Sequence, residues 1–143
     1  MSMAGFTAHV GTRRTWSTIV RAEHTVPALP IASAGLAAMP EVLATPMLVA
    51  MAECACAAHL AGLGDPEVLS LGTEVQISHT AATPVGLTLT ITTRLVAVDG
   101  RSVMFLFTAH DGVDAAGHGR HTRSVVRRER FAQWLAEKRA RVG

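Results

Sequence analysis

Residues 42–63 read VLATPMLVAMAECACAAHLAGL, and the only ionised side chain among them is Glu53, near the middle. So long a run of Ala, Leu, Met, Val and Cys has to be covered by other apolar surface, which predicts a central helix with the rest of the chain folded around it. A lone carboxylate in that company is costly to desolvate unless it is paired, hydrogen-bonded or protonated. A carboxyl pKa raised by burial is also a common route to general-base or nucleophilic chemistry near pH 7, so Glu53 is the first candidate for function.

Two plainer readings compete. The run is long enough to cross a bilayer, but Pro46, Glu53 and His59 fit that badly, a central charge alone costing about 2.5–3.5 kcal/mol on insertion scales. Alternatively, Glu53 only anchors a backbone amide or an Arg inside a soluble domain, and composition does not separate that from a catalytic role.

The chain's 143 residues suit one domain spanning 1–143. With 49% hydrophobic and 17% charged residues, its surface is apolar enough to favour oligomerisation. Net charge is only +2, yet eight of the thirteen Lys and Arg residues fall in the segment 120–141. There Arg127, Arg128, Arg130, Lys138, Arg139 and Arg141 are mixed with Glu129 and Glu137 and with few aromatics, the pattern of a solvated helix face rather than of a nucleic-acid site. Cys54 and Cys56, two apart on a helix, point to nearly opposite sides and cannot pair with each other. The opening MSMAGFTAHVGTRRTW has no signal-peptide pattern, so a reducing cytoplasm is the expected compartment. A CxC pair is a poor metal motif, and no metal is expected.

Residues 1–13 are small, polar and aperiodic, a loose lead-in, and residues 15–26 (TWSTIVRAEHTV) read as a first strand. Residues 27–40, rich in Pro, Ala and Gly, suit a covering loop or lid. Thr45-Pro46 signals a helix start, with Thr as the cap and Pro in the first turn, although Pro40-Glu41 offers an earlier one; the end falls near Gly62 and Gly64. Residues 68–79 alternate, placing Leu71, Thr73, Val75, Ile77 and His79 on one, apolar face and Gly72, Glu74, Gln76 and Ser78 on the other. Residues 85–98 and 102–110 are joined by an Asp99-Gly100 hairpin turn, and Asp111-Gly112 turns into residues 113–126. A last helix over 128–141 carries Phe131, Trp134 and Leu135 on one stripe. One strand, a long apolar helix, four consecutive antiparallel strands read as a meander, and a terminal helix imply an α+β fold with the sheet wrapped around the central helix.

On an ideal helix Thr45, Val49 and Glu53 stand at i, i+4 and i+8 and drift by only about 80° around the axis. His79 looks toward that helix if the sheet packs on it, so Thr45, Glu53 and His79 can converge. Such a trio supports hydrolysis or acyl transfer: a carboxylate as base or nucleophile, an imidazole to orient it or move protons, and a hydroxyl with helix N-terminal amides to hold an oxyanion. Each member also has a plain structural use, Thr45 as a cap and His79 as a satisfied core histidine. Cys56, about 20° from Thr45 on the same stripe, is a lesser nucleophile candidate.

Three stretches, PEVLATPMLVAMAE (40–53), LGTEVQISHTAATPVG (71–86) and AHDGVDAAGHGRHTRSVV (109–126), resemble in order and spacing the hotdog-fold thioesterases of the fluoroacetyl-CoA thioesterase type. The likeness covers nearly the whole chain, from about residue 11 to about residue 138. It implies a hotdog fold and a cytoplasmic acyl-CoA thioesterase, a homodimer or higher homo-oligomer, with no cofactor beyond the coenzyme A of its substrate. The family's Thr, Glu and His site residues fall on Thr45, Glu53 and His79. Gly72 matches a family glycine near the thioester, and Arg123 matches a further family position. In the fluoroacetate-resistance enzyme of that family the lid carries aromatic residues over the acyl group. Here residues 26–39 hold none, and Leu36 and Met39 stand in their place as substrate-binding candidates, which points to a general or differently selective short-chain acyl-CoA. No nucleic-acid or membrane partner is expected, and the basic terminal segment is also a candidate for coenzyme A phosphates. Two other functions suit the same fold: an acyl-CoA hydratase, and a non-catalytic binder of acyl-CoA or another small ligand.

Overall fold

The computed structural model describes residues 3–143. Helix α3 (Thr45–Ala61) lies along one face of a five-stranded antiparallel sheet. Pro46 sits in its first turn, where a missing N–H costs nothing, and Gly62 ends it. The N-cap is Ala44, with no side-chain cap bond, and not Thr45 as the sequence suggests; the Thr45 hydroxyl is drawn off to a partner on the sheet. Seventeen residues make a rod of about 25 Å.

The strands are β1 (Arg13–Ile19), β2 (Val68–His79), β3 (Thr88–Asp99), β4 (Ser102–His110) and β5 (Ala115–Arg127), in the order β1-β3-β4-β5-β2. Strands β3 to β5 form a meander, turning at Gly100 with φ of 56°. Strand β2 is not its first member, as expected, but lies beyond β5 at the far edge, with His79 opposite Gly117 and Gly72 opposite Arg123. Residues 80–87 carry the chain across to β3, anchored where Leu43 N donates to Thr83 O and Gly86 N to Val20 O.

A bulge between Gly72 and Glu74 breaks the expected alternation of β2. One extra residue, Thr73, flips the faces. Ser70 and Gly72 therefore look toward the helix side together with Val75, Ile77 and His79, while Leu71 is turned out and exposed.

Alternation holds along β3 and β4, whose Leu89, Ile91, Leu95, Val103, Phe105, Phe107 and Ala109 are buried. They meet α3 in two clusters, one around Leu48, Met51, Ala52 and Ala55, the other around Cys56 and Leu60. The core is the layer between helix and sheet.

Strand β1 is shorter than predicted. Past Val20 the chain enters a 3-10 turn at Ala22–His24, closed by the Thr25 hydroxyl donating to Ala22 O at 2.6 Å, the kind of local side-chain bond that competes with a strand. The loose lead-in expected over residues 1–13 is also structured, apart from residues 1 and 2, which lie outside the described residues. Helix α1 (Met3–Thr7) buries Phe6, and Thr12 Oγ1 lies 3.0 Å from His59 Nε2, whose ring reaches Thr93 Oγ1 at 2.8 Å through Nδ1. Between β1 and α3, the helix α2 (Ala34–Ala37) and its surroundings are mostly exposed. Helix α4 (Arg128–Ala140) buries none of its residues. Among the described residues no helix is long and apolar enough to cross a membrane.

Candidate active site

Two groups of polar side chains decorate one face of α3. At its first residue, Thr45 Oγ1 lies 2.8 Å from His79 Nδ1 at the end of β2. Burial lowers the pKa of His79, so its ring is neutral near pH 7. Its Nε2 is buried and has no hydrogen-bond partner among the described residues. Whichever of Thr45 and His79 donates, Nε2 is the ring's uncommitted nitrogen.

Eight residues along the helix, about 12 Å by the helical rise, stands Glu53. Its Oε1 lies 3.4 Å from Arg123 Nη1 and 3.8 Å from His121 Nε2. The apolar run suggests a desolvated carboxylate, but the side chain is 44% exposed and opens on a cavity of about 260 Å³ lined by Val49, Glu53, Gly72, Thr73, Glu74, Val75 and His121. Gly72 is what lets it sit there: a Cβ at that position would meet Glu53 Oε1 and come within 3.1 Å of His121 Cε1. The bulge of β2 turns this glycine inward.

The structure thus pairs Thr45 with His79, gathers Glu53, Gly72 and Arg123 together, and keeps the two groups apart within one chain. Arg123, buried at 7% exposure, is spent on neighbours: Nε donates to Ser70 Oγ at 2.9 Å and Nη2 to Ser70 O at 2.8 Å. Leu36 and Met39 are exposed at 42% and 46%. Cys56 is fully buried and its thiol is pushed up to about 12 by desolvation, which leaves it a poor nucleophile; Cys54 on the opposite side is exposed. Among the described residues no cluster of metal-ligating side chains occurs.

His121 joins the site without having been singled out in the sequence. The signal was available, because His121 and Arg123 are two apart on one strand and so share the face that Arg123 presents to the helix. The loops on either side of β5's start are tied to each other. Asp111 accepts from Thr83 Oγ1 at 2.8 Å and from the amides of Val113 and Asp114, and these bonds hold its carboxyl below the usual carboxylate range.

A sheet of this strand order closed over one long helix, with a carboxylate offered from the middle of that helix, is the hotdog architecture of the thioesterase superfamily. The family model described as fluoroacetyl-CoA-specific thioesterase matches residues 17–129, and the chain belongs to that family. It is 42% identical over 129 residues to the fluoroacetyl-CoA thioesterase of Streptantibioticus cattleyicolor, covering 90% of this chain and 93% of that one. A solved structure of the fluoroacetyl-CoA thioesterase FlK superposes with a TM-score of 0.84 at 42% identity, over 90% of this chain and 96% of the other. A Thermus thermophilus thioesterase superfamily member shares the fold at TM-score 0.82 with only 20% identity, over 92% and 93% of the two chains.

Proposed function

We propose that the protein hydrolyses a small acyl-CoA thioester to the free acid and coenzyme A. The observation that carries this is the Glu53 carboxylate, held over Gly72 on the central helix and open to a cavity of about 260 Å³. In one route Glu53 takes a proton from water as the oxygen adds to the thioester carbonyl. In the other it attacks the carbonyl itself, and water then cleaves the acyl-glutamyl anhydride. In both, the C–S bond breaks and the thiolate leaves with a proton. Thr45 would hold a developing oxyanion when His79 Nδ1–H donates to its hydroxyl oxygen and leaves the hydroxyl hydrogen free; in the other tautomer of the neutral ring the Thr45 hydroxyl donates to Nδ1, and Nε2–H would protonate the departing thiolate. No cofactor is invoked beyond the coenzyme A of the substrate. Label from heavy-oxygen water entering Glu53 in a single turnover indicates the anhydride route; its absence indicates direct attack by water.

The acyl group is short but not specifically fluoroacetyl. Residues 26–39 offer no aromatic cover, only the exposed Leu36 and Met39. The working unit is a homodimer. Strand β2 is an unpaired edge with Leu71 and Val75 exposed, and with Thr73 bulged out Gly72 and His79 each lie three pairing positions from Gln76. Antiparallel pairing of two β2 strands at that centre sets the Thr45–His79 pair of one copy against Glu53 of the other and closes the 12 Å gap, about eight helical rises. Two free cysteines suit a reducing cytoplasm.

Thiol release from a panel of acetyl, fluoroacetyl, branched, aromatic and longer acyl-CoAs tests the proposal, with Glu53→Gln as control. Release is expected from the wild type and a loss of about 100-fold or more from the variant, with a similar melting temperature since Glu53 is half-exposed. Binding without release from any ester would move the assignment to a non-catalytic binder or to a carrier-bound thioester as the substrate, and hydration of an enoyl-CoA would move it to a hydratase.

A further inference from the structure

We propose that His121 is a positioning residue of this site: by accepting a hydrogen bond from Arg123 it keeps the guanidinium from closing on Glu53. The inference rests on the proposed thioesterase reading for its kinetic consequence but not for its geometry.

The tautomer follows from the partners. His121 is buried at 1% exposure, and its Nδ1 lies 2.8 Å from the backbone oxygen of Glu74. A carbonyl only accepts, so Nδ1 carries the hydrogen. On the other side of the ring Nε2 stands 3.0 Å from Arg123 Nη1, which only donates, so Nε2 presents its lone pair and the ring is neutral. Burial, with the neighbouring Arg123 cation, works in the same direction and lowers the ring's pKa. The contact of 3.8 Å between His121 Nε2 and Glu53 is therefore not an ion pair, because that nitrogen has no proton to give.

The guanidinium is held at three points: Ser70 Oγ, Ser70 O and His121 Nε2. Only Nη1 also approaches Glu53, at 3.4 Å, well beyond the roughly 2.7–2.9 Å of a strong charge-assisted bond. Arg123 thus lends Glu53 a nearby positive charge without engaging it in a two-pronged pair. The carboxylate keeps lone pairs for a water or a carbonyl carbon. Were the His121 acceptor removed, Nη1 would be freed to turn to Glu53, shorten that contact and occupy the oxygen that the reaction needs. The groups facing the ring are Glu53 from α3, the Glu74 carbonyl from β2 and Arg123 from β5.

The test compares His121→Leu, which has no acceptor, with His121→Gln, whose amide oxygen stands near the place of Nε2 and whose NH2 can face Glu74 O. In thiol-release assays beside the wild type and Glu53→Gln, His121→Leu should lose between about 10- and 100-fold in kcat with KM little changed, and His121→Gln should recover most of it. Wild-type kcat in His121→Leu overturns the proposal, and so does an equal loss in both variants when both are folded. Nitrogen NMR of the wild-type imidazole decides independently of activity and of whether the variants fold. An unprotonated Nε2 at pH 7 is expected, and a protonated Nε2 would refute the assignment. If the wild type releases no thiol, the thioesterase reading fails, while the NMR result still stands for or against the tautomer.

Discussion

Since the N-cap of α3 is Ala44, the Thr45 hydroxyl has no duty to the helix and answers only to His79. Thr45→Ala should therefore leave the melting temperature close to that of the wild type while lowering kcat by about 100- to 1000-fold, the usual cost of one lost oxyanion donor, and Thr45→Ser should retain part of the activity. Thiol-release kinetics beside a thermal melt separate the two effects; unchanged kcat in Thr45→Ala would remove Thr45 from the mechanism. As candidates, Glu53, Thr45 and His79 stand out in the sequence by type and spacing, because a carboxylate inside an apolar helix and a histidine on an apolar strand face are rare, and of the three the structure brings Thr45 and His79 into contact. The half-exposure of Glu53 was not legible: it comes from an open space made by Gly72, and a missing side chain leaves little trace in a hydropathy pattern. His121 escaped notice for a different reason, since the chain holds seven histidines and only the packed strand pair tells which one meets the arginine.

Among the elements, β2 separates what periodicity can give from what it cannot. Its span, 68–79, and that of β4, 102–110, follow directly from alternation and turn residues. Its place beyond β5 depends on the crossover through residues 80–87, and its inverted face depends on a bulge, neither of which leaves a mark in a two-residue period. The bulge yields a sharp contrast between two glycines. In Gly72→Ala the new methyl meets the end of the half-exposed Glu53 side chain, which can swing away, so the fold should survive while the carboxylate is displaced and activity drops. In Gly119→Ala the methyl meets the backbone oxygen of Gln76 and comes within 2.7 Å of Phe107 Cζ, neither of which can yield easily, so stability should fall by about 1–3 kcal/mol. Chemical denaturation and thiol release on both variants check this; an unfolded Gly72→Ala or a fully stable Gly119→Ala would contradict it.

For the whole molecule, three imidazoles, those of His59, His79 and His121, are lowered below 6.5, each chiefly by burial. Between their folded values and 6.5 the unfolded chain binds more protons than the folded one, so stability rises with pH in that window and is fully present above it. Melting temperature should therefore fall as pH is lowered from about 7 toward 5, before the depressed carboxyl of Asp111 begins to contribute in more acid solution. A melting temperature that stays flat or climbs on acidification would mean that these rings are not excluded from protonation. The α+β class and the central helix were readable from the 49% hydrophobic composition and its concentration in one run, because those decide which element must be enclosed. The bond from Thr12 to His59 was not, since it joins residues 47 positions apart through a polar plug inside the core. That plug gives the two ends of the chain opposite tolerances. Phe6 and Thr12 strap the beginning of the chain to the central helix, whereas α4 buries nothing, so a tether, label or fusion partner belongs at the C-terminal end, and trimming the first dozen residues would leave His59 short of a partner in the middle of the protein.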